Sequence, residues 1–118
     1  MLYHKDLGFP KGFNSQVGTV LLQYTQHAKL AALSDKYGRI ELSKTLNTSE
    51  AECIELQVEQ GQVTKLVYRI AYDTGRDLVI VCRPQGNGFI VPTLWLNLKS
   101  DKHETLDVSK YIQLNKGA

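Results

Sequence analysis

The stretch TLWLNLKSDKHETLDVSKY, Thr93 to Tyr111, gathers side chains that bind, donate or accept protons. It offers Thr93, Trp95, Asn97, Asp101, His103, Thr105, Asp107, Lys110 and Tyr111. A histidine beside a carboxylate suits acid–base work, because the carboxylate fixes the imidazole's tautomer and orientation. His103 has Asp101 and Asp107 close by in sequence. As a metal site the stretch is poor: a D-x-H pair without a further histidine or cysteine matches no ligand spacing, so no metal is expected. The competing reading is a tail folded back on the body. Leu106 and Tyr111 would then pack, Asp101 would cap a turn, and the Asp, Asn, Ser and Thr groups would make turn hydrogen bonds.

Two further groups stand out. His27 falls in the first turn of an expected helix, where the positive helix end disfavours the imidazolium and leaves a neutral imidazole able to act as a base. A histidine packed or hydrogen-bonded locally is the alternative. Lys65 and Arg69 are four apart in a strand-like run, hence on one face and about 13 Å apart. Arg83 and Trp95 are expected on that same face. Cations around an exposed tryptophan can hold phosphates and stack a base. The alternative is that Lys65 and Arg69 pair across strands with Glu55 or Gln57. No nucleophile elbow, phosphate loop, dinucleotide fingerprint or zinc signature occurs, and no cofactor is expected.

These residues must be held by elements that the hydrophobic pattern lays out. Residues 1–16 are turn-rich and read as an irregular arm. Residues 17–24, VGTVLLQY, read as a strand. Thr25 is a good N-cap for a helix over 25–37, with Gly38 at the left-handed C-terminal position. The small face of Ala28, Ala31 and Ala32 suits close packing on a sheet. From residue 52 the period changes to two, and short Gly-containing turns separate four runs over 52–98. An antiparallel meander follows. A three-residue loop, Gln60-Gly61-Gln62, pairs Leu56 with Leu66 and Gln57 with Lys65, which keeps both faces coherent. The apolar face is then Ile54, Leu56, Leu66, Tyr68, Ile70, Leu78, Ile80, Leu94 and Leu96, with the helix on it. The open face carries Lys65, Arg69, Arg83, Thr93, Trp95, Asn97, Glu55 and Gln57. Pro92 has no N–H to give, so the last strand is expected to be an edge or to bulge there. Residues 99–118 form the tail.

The chain as a whole limits the choices. Its 118 residues predict one domain, α+β in class, with a single helix on a four-stranded antiparallel sheet. The net charge of +2 is too small to argue for nucleic acid by itself. There is no apolar run long enough to span a membrane, and Asp6, Gly8, Pro10 and Gly12 break up any secretory leader, so a cytoplasmic protein is expected. Cys53 and Cys82 form no C-x-x-C pair; Cys82 is expected as a small core residue, whereas Cys53 faces either way.

The segments YTQHAKLAALSDKYGRI and TLWLN…DKHETLDVSKY together resemble small proteins carried by tailed phages. Those have an HA-led helix, a DRYG-like helix end and a VWLN…D-H-TLD-SKY close. The resemblance runs from residue 24 to 111 and implies no activity. In architecture, an HA-containing helix followed by a four-stranded antiparallel sheet is similar to the RelE/ParE and colicin-D-like ribonuclease toxins, which cleave RNA on the open sheet face without metal. That similarity implies a role for His27, Lys65, Arg69, Thr93 and His103.

Two functional expectations result. In the first, a phage-borne cytoplasmic domain binds or cleaves RNA on its open sheet face: His103 or His27 moves protons, and Lys65 and Arg69 stabilise the phosphorane. In the second, a non-enzymatic interaction protein binds and inhibits a host protein, with Trp95 and an arginine as anchors.

Overall fold

A computed structural model describes residues 1–13, 18–101 and 107–114. The strands are β1 (Leu2–His4), β2 (Thr19–Tyr24), β3 (Thr45–Asn47), β4 (Glu52–Glu59), β5 (Gln62–Ala71), β6 (Arg76–Gln85) and β7 (Gly88–Leu98), with one α-helix, α1 (Gln26–Leu33). The class is α+β as predicted. The sheet, however, has seven strands in the order β1-β4-β5-β6-β7-β2-β3, and β2 runs parallel to β7. The expected antiparallel meander is present as β4 to β7 and forms the middle of the sheet. Three strands lie outside it: β2, which is the strand expected over 17–24, and β1 and β3, which were not expected. Two of them have only three residues, too short to show any period, which is why the pattern hides them.

Alternation places one coherent layer under α1. Leu56, Leu66, Tyr68, Ile80, Cys82, Leu94 and Leu96 join Val20, Leu22, Phe89, Val91, Ala28 and Ala32 in the main core. Ala28 and Ala32, one turn apart, are the helix's buried residues and let its axis lie close to the strands. Thr25 caps α1 as expected, its Oγ1 accepting from the Ala28 N–H at 3.1 Å. The helix is shorter than predicted. It stops at Ser34, because the Asp35 carboxylate takes the N–H of Tyr37 at 3.0 Å and that of Leu96 at 3.2 Å, drawing the chain out of helical geometry. Gly38 does adopt a positive φ of 120°, but it closes the turn back to the Asp35 carbonyl rather than capping the helix.

Register is as expected in the middle of the β4–β5 pair and reached by a different device. Leu56 faces Leu66 and Gln57 faces Lys65. The loop has two residues, Gln60 and Gly61, both with positive φ, and an irregularity after Gln57 leaves Thr64 as the extra residue. Two positive φ values in succession match the right-handed strand twist. A second bulge between Cys53 and Glu55 turns Ile54 to the opposite face from Leu56. Ile54 therefore leaves the predicted apolar face and forms a small second cluster with Val67 and Val79, against which Val81 packs.

The 1–16 arm is also more ordered than predicted in its described part. β1 pairs with β4, and a 3-10 turn follows at Lys5–Leu7. The described part of the tail, 107–114, lies against the body: the Ile112 N–H donates to the Leu2 carbonyl at 2.9 Å and the Leu114 N–H to the Leu7 carbonyl at 2.8 Å. Among the described residues no helix is long and apolar enough to cross a membrane.

The parallel β2–β7 contact depends on Gly88. A Cβ built there would stand 2.3 Å from the Leu21 carbonyl oxygen, a backbone atom that cannot swing aside. Gly88→Ala should therefore cost about 1 to 3 kcal/mol through forced separation of the strands, read as a lowered urea midpoint with an unchanged slope. An unchanged midpoint would show that β2 and β7 part without cost.

Candidate functional site

The open face of the sheet carries a cavity of about 450 Å³. Its floor is Ile54, Val67 and Val81; its walls include Thr93 and Trp95 from β7, Glu55 and Lys65 from the β4–β5 pair, and Lys110 and Tyr111 from the returning tail. Three segments distant in sequence thus converge, for identifiable reasons. Period-two alternation puts Lys65, Val67, Val81, Thr93 and Trp95 on one face, and the bulge before Glu55 turns Ile54 to join them. Trp95 sits opposite Val79 in the ladder and is 38% exposed, so a large part of its side chain meets solvent.

The tail is tied to this face by one chain of bonds. The Tyr111 hydroxyl donates to Glu55 Oε1 at 2.6 Å, and Lys65 Nζ lies 2.7 Å from Glu55 Oε2. Burial, and then the bond to Glu55, keep the Tyr111 phenol protonated well above its ordinary range. The His4 ring, from β1, meets the Tyr111 ring edge-on at 5.3 Å, and its Nδ1 accepts from the Asp6 N–H. His4 is 2% exposed and lines the same cavity. Sequence reasoning missed it, since nothing in the arm marks residue 4 as lying against the tail.

Arg69 lies further along the same face, in a second charged cluster. Arg69 Nε lies 2.8 Å from Asp77 Oδ2, Lys99 Nζ 2.6 Å from Asp77 Oδ1, and Arg69 Nη2 donates to the Leu98 carbonyl at 3.1 Å. Asp77 was also missed, although period-two spacing from Val79 puts it on the face of Arg69. The pairing alternative for Lys65 and Arg69 is therefore what the structure shows: Lys65 with Glu55, as expected for that alternative, and Arg69 with Asp77.

The other predicted residues divide. Thr93, Trp95, Lys65, Lys110 and Tyr111 share the cavity. Asn97 lies opposite Asp77 at the Arg69 end, and Asp101 accepts from the Leu98 N–H at 3.2 Å, capping the turn after β7. Arg83 is exposed beyond the bulge in the β6–β7 ladder and does not line the cavity. His27 is exposed on α1, in helical register with Ala31 and Ser34, so it lies in the layer on the other side of the sheet from Lys65 and Arg69. The structure does not bring those three together. His103 and Thr105 lie outside the described residues, as does Leu106.

No covalent chemistry is visible in the thiols. Burial pushes Cys53 up to about 11 and Cys82 up to about 12, so neither is a thiolate near neutral pH. Cys82 is a fully buried core residue, as predicted. Among the described residues no group of His, Cys, Asp or Glu is assembled to hold a metal ion.

Asp77 ties β6 to Arg69 on β5 and to Lys99 after β7. Its burial raises the carboxyl, but the bonds from Lys99 and Arg69 outweigh this and hold it below the usual range. A depressed folded value contributes stability that is present above the unfolded value of about 4 and fades as pH falls through the lower folded value. Asp77→Asn should cost about 1 to 2 kcal/mol at neutral pH, since it leaves Arg69 half-buried and unpaired. The gap from wild type should close on acidification below about pH 4. A gap that persists unchanged at acid pH would assign the cost to packing instead.

No family model matches the chain, and no curated protein or solved structure matches it, so the functional reading rests on this geometry.

Proposed function

We propose that this chain is a non-enzymatic recognition domain whose open sheet face binds a protein partner, with Trp95 as the anchor and the adjoining cavity receiving one apolar or aromatic side chain. The observation that carries the reading is the pairing of Lys65, Arg69 and Lys99 with carboxylates around a half-exposed tryptophan. Lys65 is paired with Glu55, and Arg69 and Lys99 share Asp77, each contact within 2.8 Å. At a range near the Debye length of about 8 Å such pairs act as dipoles rather than as free cations. A phosphate backbone draws its affinity from unpaired lysines and arginines that release counterions. A protein interface instead combines a tryptophan anchor, an apolar pocket and a satisfied polar rim. The apolar floor of Ile54, Val67 and Val81 beside Trp95 fits that description. The resemblance to small tailed-phage proteins supports a host protein as the partner, inhibited or redirected by being bound.

A second reading keeps RNA as the ligand. What favours it is that Lys65, Thr93, Trp95 and Lys110 line one cavity, giving two ammonium groups, a hydroxyl and a stacking ring. On that reading the domain binds RNA, or cleaves it without metal using a histidine as proton carrier.

One comparison separates the two. Tagged wild type, Trp95→Ala, His27→Ala and Lys65→Ala/Lys110→Ala are used for capture from nuclease-treated bacterial lysate and, separately, incubated with total bacterial RNA and EDTA. The expected result is a discrete captured protein that survives nuclease and the His27 change but falls at least tenfold with Trp95→Ala, about 1.4 kcal/mol or more, while RNA stays intact. Cleaved RNA, or RNA retention that falls steeply with salt and disappears in the double lysine variant, would overturn the protein reading in favour of the second. Capture indifferent to Trp95→Ala would remove Trp95 as the anchor.

A further inference from the structure

β7 has two neighbours along its first half and one along its second. β2 accompanies it only from Gly88 to Val91 and then leaves through Thr25 into α1. From Pro92 to Leu98, β6 holds one side of β7, and the slot in line with β2 contains no strand among the described residues. The Leu96 and Leu98 N–H groups point into that slot, and alternation puts the Leu94 N–H and carbonyl and the Leu96 carbonyl there too.

What fills the slot now is informative. Asp35 Oδ1 accepts from the Leu96 N–H at 3.2 Å, and Asp101 Oδ2 accepts from the Leu98 N–H at 3.2 Å. Two carboxylate oxygens thus stand at alternate residues, where the carbonyls of an added strand would stand. Neither carboxylate is in an ion pair among the described residues, although the Arg76 guanidinium is near enough to Asp35 to act on it electrostatically. A groove of about 550 Å³ runs beside this edge, between Ala31, Ser34, Asp35 and Lys36 at and after the end of α1 and Leu94, Trp95 and Leu96 of β7. It is continuous with the open-face cavity, since Thr93 and Trp95 line both. The small side chains of Ala31 and Ser34 leave room for a backbone beneath the helix end.

We propose that the partner binds as an extended basic segment that adds to β7 along Leu94–Leu98, in line with β2, displacing the carboxylates of Asp35 and Asp101 from the edge. The segment's carbonyls replace the two carboxylate oxygens on the Leu96 and Leu98 N–H groups. Its N–H groups satisfy the Leu94 and Leu96 carbonyls. Its lysines or arginines, at alternate positions, meet the two released carboxylates. The side chains between them point to the open face, where Trp95 and its cavity receive one. Main-chain bonds supply the affinity and the alternate side chains the specificity. This mode rests on the protein-binding reading above, and the test is arranged so that the two can fail separately.

The probe is a displayed library of short random peptides selected on the folded full chain. Enriched peptides are then synthesised with single backbone N-methyl groups at each position in turn. The expected result is enrichment of extended sequences with lysine or arginine at alternate positions. N-methylation should weaken binding at least tenfold at every second residue and little between, and amide shifts should concentrate on Leu94, Leu96 and Leu98. Asp35→Asn, which keeps the side chain's shape and an acceptor oxygen but removes the charge, should reduce selection for basic residues. Peptides that depend on Trp95 but show no alternating N-methyl pattern would overturn strand addition and leave the protein-binding reading standing. Failure of any peptide to enrich would overturn strand addition as well. Peptides indifferent to both N-methylation and Trp95→Ala would overturn the two together.

Discussion

The arrangement of this molecule depends on the junction where β7 meets Thr25. Pro92 has no N–H, and the β6–β7 ladder accommodates it with an extra residue, two residues of β7 standing against Cys82. The carbonyls thereby turned outward are both used by one residue: the Thr25 N–H donates to Val91 and the Thr25 hydroxyl to Pro92, each at 3.1 Å. The same hydroxyl oxygen accepts from Ala28 and starts α1. One threonine therefore ends the parallel ladder, anchors the strand end and nucleates the helix. Where β2 stops, where α1 begins and how much of β7 is left with an open edge are consequences of that single set of bonds.

Much of this was legible in the sequence because it follows from period and local chemistry. The β4–β7 meander, the buried Cys82, the Thr25 cap, an irregularity at Pro92 and the assignment of Lys65, Arg69, Thr93 and Trp95 to one face all rest on alternation or on one residue's covalent limits. What was hidden rests on insertions of one residue and on long-range contacts. The turn of Ile54 to the open face comes from a bulge that no pattern around Cys53-Ile54-Glu55 announces. With Thr64 as an extra residue, the two-residue Gln60-Gly61 loop gives the same Leu56–Leu66 pairing as a three-residue loop, so register alone could not tell them apart. β1 and β3 are too short for periodicity, and the shortening of α1 depends on Asp35 reaching a strand sixty-one residues away. For the candidate site, the residue types were readable and their company was not. Asp77 neutralises Arg69, and His4 packs on Tyr111, through pairings between separate strands and the tail.

Charge pairing on the open face decides how that face is best understood. Each pair contributes little to stability, about 0 to 1 kcal/mol where solvent reaches it. Its larger effect is on what the surface attracts. Were Lys65 and Arg69 free, the face would be a cationic patch about Trp95; with Glu55 and Asp77 in place it is a polar rim around an apolar floor. The tail takes part in this, because Tyr111 occupies Oε1 of Glu55 while Lys65 holds Oε2. A face arranged in this way has few unmet charges, and its main unmet feature is the exposed side of the Trp95 ring.

The outer edge of β7 presents the opposite chemistry within a few residues. There the unmet groups are main-chain donors and acceptors, and beside them stand the carboxylates of Asp35 and Asp101, neither in an ion pair among the described residues, with Lys36 in the same groove and Arg76 near Asp35. An exposed strand edge invites uncontrolled pairing, and proteins commonly blunt it with charged side chains. Asp35 and Asp101 do this to the Leu96 and Leu98 N–H groups, but a carboxylate oxygen accepts one bond at a time and can be exchanged for a carbonyl, whereas a covering strand cannot. A permanently sealed edge would need β2 to continue past Val91, and Thr25 prevents that. Among the described residues, the same junction that sets the helix therefore leaves the second half of β7 guarded by side chains, next to the one tryptophan in the chain. An edge of that kind is closed to a second flat sheet under α1 and remains open to a single extended strand whose own cations take over the two carboxylates.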